Sequence, residues 1–94
     1  MLTITHEAAA LLVENRQIAG VPDTYGARLF AAIPPGGGAP GIAVAFVPEA
    51  EPDDQVIEQA GVTAFVAPEV SEVLDAAILD ASRADERREL VIHP

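Results

Sequence analysis

Apolar and polar positions change rhythm several times along the chain, and each change marks an element. Leu2-Thr3-Ile4 alternates and predicts a short strand. Thr5 is a good N-cap for the segment after it, and Glu7 falls in the first turn, where the helix dipole favours an anion. Ala8, Leu11, Leu12 and Asn15 then share one helical face, with Ala9 beside them, which predicts a helix over about residues 6–17. Gly20, Pro22 and Asp23 end it and form a loop. Gly26 to Ile33 (GARLFAAI) reads as a strand with Arg28 as its one charge. The next stretch, Pro34-Pro-Gly-Gly-Gly-Ala-Pro-Gly41, cannot be helix and is too glycine-rich for a stable strand. Ile42 to Val47 (IAVAFV) is a continuous apolar run of strand length, so the two strands and their loop predict a long hairpin.

The second half follows the same logic. Pro48 to Asp54 (PEAEPDD) is an acidic, proline-broken connector. Gln55–Gln59 and Val62–Val66 are short strand candidates around Ala60-Gly61, close to the two-residue hairpin pattern. Pro68 suits the first position of a helix. Val70, Val73 and Leu74 follow at helical spacing with Glu69 and Glu72 outward. Ala77–Ala81 and Glu89–His93 read as a last pair of strands, with Ser82 to Arg88 as their turn. The order is strand, helix, four strands, short helix, two strands. That predicts a compact α+β domain, mainly antiparallel, with an N-terminal helix and a short second helix. Residues 34–41 and 48–54 are expected to be its mobile segments.

Composition narrows the function classes. At 94 residues the chain is long enough for a single domain, 1–94, and too short for two cores. Half the residues are hydrophobic, but there are only three Phe, one Tyr and no Trp. Small apolar side chains each contribute little burial energy, so a homo-oligomer is expected to supply burial that one copy lacks. The net charge is −10, from 15 Asp and Glu against five Arg and no Lys. Such a surface repels a phosphate backbone and an anionic membrane, so neither nucleic acid nor membrane is expected as partner. No apolar run approaches the roughly 20 residues that span a bilayer. The start MLTITHEAAALL lacks the basic opening and long apolar run of a signal peptide, and a cytoplasmic location is the expectation. There is no cysteine. Disulfides, thiolate metal sites and nucleophilic cysteine are all excluded within these residues.

Taken together, the features resemble the HesB/IscA family of A-type iron–sulfur cluster carriers. The resemblance runs over nearly the whole chain: LTIT before an Ala-rich helix, Gly26-Ala-Arg-Leu29, the glycine-rich loop, and an apolar strand ending in Phe46. It continues through the acidic connector into Asp54-x-Val56, then Gly61-Val62, Leu74, Leu79-Asp80 and His93-Pro94, where the family usually has Asn-Pro. The resemblance implies a compact β-rich fold and a role in receiving or delivering iron–sulfur clusters or iron. It also implies three cysteine ligands, one in the loop between the second and third strands and two in a Cys-Gly-Cys pair beyond the Asn-Pro position. Ala39 falls about where the first would stand. The sequence stops at Pro94, so the other two are expected to be absent. Gly36, Gly37, Gly38, Ala39, Pro40 and Gly41 form a ligand loop that has lost its ligand. Clusters are held chiefly by thiolates, and carboxylate oxygens match a sulfide-bridged cluster poorly. No cofactor is expected.

Other motifs have plainer readings. Gly36, Gly38 and Gly41 satisfy G-x-G-x-x-G, but a dinucleotide fingerprint must open a helix, and here Pro40 and a strand follow. Glu49, Glu51, Asp53, Asp54 and Glu58 lack the offsets and turn glycine of a calcium loop, and read as solvated connector. His6 and His93 have no second ligand marked in the sequence. Arg28, if buried, needs a carboxylate partner, for which Asp80 is one candidate, and alternation also allows it a solvent face. Ser71 and Ser82 sit in segments read as exposed, with no spacing that recommends a catalytic triad. The expectation is a non-catalytic protein, not an enzyme. It would be a protein-interaction or accessory module related to iron–sulfur cluster assembly, with its protein partner unidentified. The alternative is a small-molecule or mononuclear-metal binding module using the 34–41 loop and carboxylates, helped by His93.

Overall fold

Thr5 sets the first helix. Its side chain accepts a hydrogen bond from the Ala8 N–H at 3.1 Å, satisfying one of the donors that a helix start leaves free. The helix, α1, runs His6–Ala19 and ends at Gly20, whose φ of 74° gives the left-handed cap that glycine adopts without strain. The computed structural model describes residues 1–33, 35–39, 41–84 and 87–93. Around α1 stand the strands β1 (Thr3–Ile4), β2 (Gly26–Ala32), β3 (Gly41–Val47), β4 (Gln55–Gln59), β5 (Val62–Val66), β6 (Ile78–Ala84) and β7 (Arg87–His93), and a second helix α2 (Pro68–Leu74).

The strands form two sheets, one ordered β3-β2-β5-β4 and the other β1-β6-β7. Pairing is mostly antiparallel, as the short connections require, with two parallel contacts, β1 with β6 and β2 with β5. The long hairpin runs in register from Gly26↔Val47 to Ala32↔Gly41. Strands β4 and β5 pair from Gln55↔Val66 to Gln59↔Val62 around Ala60-Gly61. Both turn residues take positive φ, 51° at Ala60 and 79° at Gly61. That is the twist a two-residue hairpin turn needs.

The core is aliphatic. Leu2, Ile4, Leu12, Leu29, Ile57, Val66, Leu74 and Leu79 are buried with Ala8, Ala27, Ala64, Ala67 and Ala77, and among the described residues no polar residue is buried as a whole. Helix α1 buries Ala8, Ala9, Leu11 and Leu12 and packs against β5, β6 and β7. Helix α2, with Pro68 in its first turn, buries Val70 and Leu74 and packs against β2. Alanines at the helix–sheet contact let backbones approach closely, which explains how a chain poor in aromatics closes its core.

Three expectations change. Asn15 is exposed, because the buried stripe of α1 consists of Ala8, Ala9, Leu11 and Leu12 and does not extend to it. Val73 is also exposed, at 71%, since α2 presents only Val70 and Leu74 to β2. The last hairpin is longer than its apolar residues indicate, with β6 and β7 paired from Ile78↔His93 to Ala84↔Arg87. Its polar extension forms because ladder hydrogen bonds do not require apolar side chains, and Arg88 pairs with Glu14 of α1. Asp85 and Glu86, within the turn expected over Ser82–Arg88, lie outside the described residues.

A side-chain amide joins the sheets. Along β1, Thr3 and Thr5 donate their N–H groups toward β6, to Ala77 O and Leu79 O. The intervening groups point the other way, toward β4. There the Ile4 N–H donates to Gln59 Oε1 at 2.8 Å, and Gln59 Nε2 donates to Leu2 O at 2.8 Å. A primary amide offers the same donor–acceptor pair as a peptide group, so Gln59 extends the ladder by one side chain across the seam.

Candidate functional site

The residues singled out from the sequence gather at the tip of the β2–β3 hairpin. Gly36, Gly37 and Gly38 have φ of 88°, 90° and 112°, a run that only glycine adopts without cost. A Cβ placed on any of the three would meet nothing within 4 Å, so backbone conformation, not crowding, demands glycine here. Ala39 follows, exposed, and Gly41 begins β3. Pro34 and Pro40 lie outside the described residues. The arch is thus open to solvent, and the side chain at position 39 is a methyl group with no lone pair to offer.

Beneath the arch the hairpin meets α2. A shallow cavity of about 260 Å³ is lined there by Ala31, Gly41, Ile42, Glu69, Val70 and Val73. Its walls are aliphatic, with the Glu69 carboxylate as the one charged group. Val73 in this lining is exposed, and so is Ile33 just past the end of β2. This surface suits contact with another apolar surface and offers no set of metal ligands.

Two polar clusters lie elsewhere. The first joins the Gly26-Ala-Arg-Leu29 and Asp54-x-Val56 motifs. Arg28 donates through Nε to Asp54 Oδ2 at 2.9 Å and through Nη2 to Oδ1 at 3.1 Å, a two-pronged pair. The Asp54 side chain is fully covered, and its Oδ2 also accepts the Glu51 N–H at 3.0 Å. The Arg28 guanidinium holds the Asp54 carboxyl below its ordinary value, with the Glu51 N–H adding to the effect. The partner of Arg28 is therefore Asp54 and not Asp80. The connector 48–54, expected to be mobile and solvated, is pinned at its last residue onto the outer face of the four-stranded sheet. Arg28 also lies over the Phe30 ring, 5.8 Å from its centre. On the same face the Phe65 ring covers Gly26, where a Cβ would come within 2.5 Å of it.

The second cluster ties the start of α1 to β6. Thr5 Oγ1 donates to Asp80 Oδ1 at 2.8 Å, and the same oxygen accepts the Ala81 N–H at 2.8 Å. These two bonds, Thr5 first, hold the Asp80 carboxyl below its ordinary value. His93 Nε2 stands 3.7 Å from Asp80 Oδ2, too far for a hydrogen bond. His6 is exposed at the first turn of α1.

The structure does not bring these parts into one metal site. His93 belongs to β7 of the three-stranded sheet, whereas the glycine loop joins β2 and β3 of the other. Among the described residues no group of three or more His, Asp or Glu side chains is placed to hold a metal ion. Ser71 donates to Pro68 O at 3.1 Å within α2 and has no base beside it. Also among the described residues, no helix is long and apolar enough to cross a membrane. Gln59 and Asp54 are the two residues whose roles the sequence hid. Asp54 was visible as one acid of the connector and as the first residue of the Asp54-x-Val56 motif, but neither pointed to its pairing with Arg28.

Comparison with solved structures identifies the architecture. The chain is similar to SufA of Escherichia coli, described as involved in biosynthesis of iron–sulfur clusters. Identity is 25% and the TM-score 0.75, over 98% of this chain and 83% of that one. It is similar to IscA, solved with a [2Fe-2S] cluster, at 24% identity and a TM-score of 0.78, over 99% of this chain and 84% of the other. A protein from Aquifex aeolicus, solved by NMR in solution, is 20% identical with a TM-score of 0.74, over 99% and 90%. No protein-family profile and no curated protein sequence matches the chain.

Proposed function

Since the chain has a HesB/IscA-like fold and no cysteine among its 94 residues, we propose that it is a non-catalytic relative of the A-type carriers that acts through protein contacts. It serves iron–sulfur cluster assembly as an accessory module in the cytoplasm, binding an assembly component, a client or a copy of itself. The observation that supports this most is Ala39. The loop keeps its open run of glycines, yet the side chain at the expected ligand position cannot coordinate iron. Thiolates are the ligands that hold such clusters, and the residues present do not fit one. No step through a cluster is assigned to this chain.

The apolar shelf beneath the loop agrees with a contact role. Its aliphatic floor, exposed Val73 and near absence of charge contrast with a chain of net charge −10.

Anaerobic reconstitution with iron and sulfide tests the ligand half of this reading. The expected result is no charge-transfer absorption that survives gel filtration. A stoichiometric, chromatographically stable cluster would overturn it. Affinity capture from the native host, with partners identified by mass, tests the contact half. Recovery of cluster-assembly proteins is expected, and their consistent absence would count against an accessory role.

A further inference from the structure

We propose that the shelf between the β2–β3 hairpin and α2 is a docking site for a basic amphipathic helix of another protein, which seats an aliphatic side chain in the hollow and sets Lys or Arg against Glu69 and Glu72. The proposal rests on the contact role proposed above and gives the partner a definite chemistry.

The hollow comes from the way α2 meets the end of the hairpin. Ala31 and Ile42 are partners in the β2–β3 ladder, so their side chains lie together on one face of the sheet. Helix α2 packs on that strand through Val70 and leaves Val73 outside the contact. Ile42 is only partly buried although it packs against the core. A lone exposed valine is ordinary on a protein surface. Val73 is different because it lines a concave aliphatic surface of about 260 Å³, with room for an aliphatic side chain from outside. Side chains that fill such hollows are the anchors of protein contacts.

Charge selects the occupant. Glu69, the one charged group of the lining, stands four residues before Val73 on α2, so the two share a helix face, with Glu72 beside them. Both glutamates are exposed. Among the described residues neither takes part in an ion pair. The field of Glu69 reaches Arg28, but that guanidinium is held by Asp54. From Pro68 to Ser82 the sequence has no Arg, and the whole chain has no Lys. The shelf thus offers an apolar group and a carboxylate one helical turn apart, with no cation of its own segment. A helix carrying Leu and Lys or Arg at the same four-residue spacing presents the complementary pair on one face. An anionic bilayer, or a second copy of net charge −10, has the wrong sign for this rim.

The probe is a synthetic peptide of about 15 residues, built of Leu and Lys with Leu at helical spacing, titrated calorimetrically at physiological salt to screen diffuse attraction. Glu69→Gln and Val73→Asn, both at exposed positions, should each weaken binding about tenfold while leaving far-ultraviolet circular dichroism unchanged. Glu58→Gln removes a carboxylate from β4, at the opposite edge of the same sheet, and should leave the affinity as it is. A peptide of the same composition with Leu and Lys strictly alternating should bind about tenfold more weakly, because it cannot place both groups at the spacing of α2. Amide shifts in the wild type should cluster on Ala31, Ile42, Val70 and Val73 when the helical peptide is added. No binding, or shifts scattered away from these residues, would overturn the proposal. So would an affinity that Glu69→Gln and Val73→Asn leave unchanged, one that Glu58→Gln lowers equally, or equal binding of the alternating peptide. If Val73→Asn instead lowers the mass of the free protein in light scattering, the shelf is a contact between copies and the proposal also fails. A stable cluster on reconstitution would refute the functional reading without changing the peptide's affinity.

Discussion

Replacing Gln59 with Ala should loosen the seam between the sheets more than its half-buried position indicates. The substitution removes both 2.8 Å bonds, leaving the Ile4 N–H and the Leu2 carbonyl without their protein partner. A neutral hydrogen bond contributes about 1 kcal/mol net, and an orphaned buried partner raises the cost to about 1–3 kcal/mol. Partial water access favours the lower end, so the loss is about 2–4 kcal/mol for the two together. A chain of this length has a stability of roughly 5–14 kcal/mol, so the variant should remain folded at room temperature. In urea, with a slope of about 1 kcal/mol per molar for a small domain, the midpoint should fall by about 2 M or more with the slope unchanged. Gln59→Glu separates the two bonds. Its carboxylate still accepts from Ile4 but can only repel the Leu2 carbonyl, so it should lose at least as much as one bond. If Gln59→Ala lies within about 0.5 kcal/mol of wild type, the usual spread for neutral surface changes, water replaces the amide and the seam is held by packing alone.

Other substitutions probe single features. Ala60→Gly or Ala60→Asn should stabilise the β4–β5 turn by about 0.5–1 kcal/mol, because Ala60 sits at a φ of 51° where Gly has no Cβ to clash and the short polar side chain of Asn can hydrogen-bond locally; thermal melting reads the gain, and a fall in midpoint would refute it. Asp54 and Asp80 have carboxyls held below their ordinary value of 3.8, so their stabilisation is full above that pH and is lost as pH falls through the depressed folded values. Asp54→Asn should therefore lower stability at neutral pH and flatten the acid limb of the unfolding profile, and an acid limb as steep as wild type would count against the Arg28 pair. Thr5→Ala should cost about 1–2 kcal/mol, since it removes a helix cap and the bond to Asp80 together; a double substitution with Asp80→Ala should be less than additive, measured by a denaturant cycle. Gly26→Ala should displace the Phe65 ring and destabilise the fold, visible as a changed aromatic near-ultraviolet signal.

Much of the fold was legible because local signals agreed with one another. Thr5 and Gly20 bracket α1, Pro68 opens α2, and the Ala60-Gly61 turn separates two strands whose bounds the sequence gives without error. What escaped was long-range. The β1–β6 and β2–β5 contacts join residues far apart in sequence, and periodicity carries no information about which strands meet. The choice of Asp54 over Asp80 for Arg28 was hidden for the same reason. Val73 misled because a short helix repeats its apolar spacing whether or not a surface awaits each position. Ser82 and Arg83 misled in the opposite sense, since a backbone ladder continues under polar side chains. At the loop, residue chemistry alone identified what Ala39 lacks. The shelf formed with α2 became visible only when the chain was folded.

The parallel contact between Thr3 and Ile78 carries a consequence for the order of folding. The β2–β3 and β4–β5 hairpins join near neighbours in sequence and close at small entropic cost. The β1–β6 ladder joins residues far apart in sequence, so it carries a larger loop-closure cost and gains most from hairpins that are already in place. A strand of two residues thus owes its place to the sheets it connects, more than to any local preference of its own.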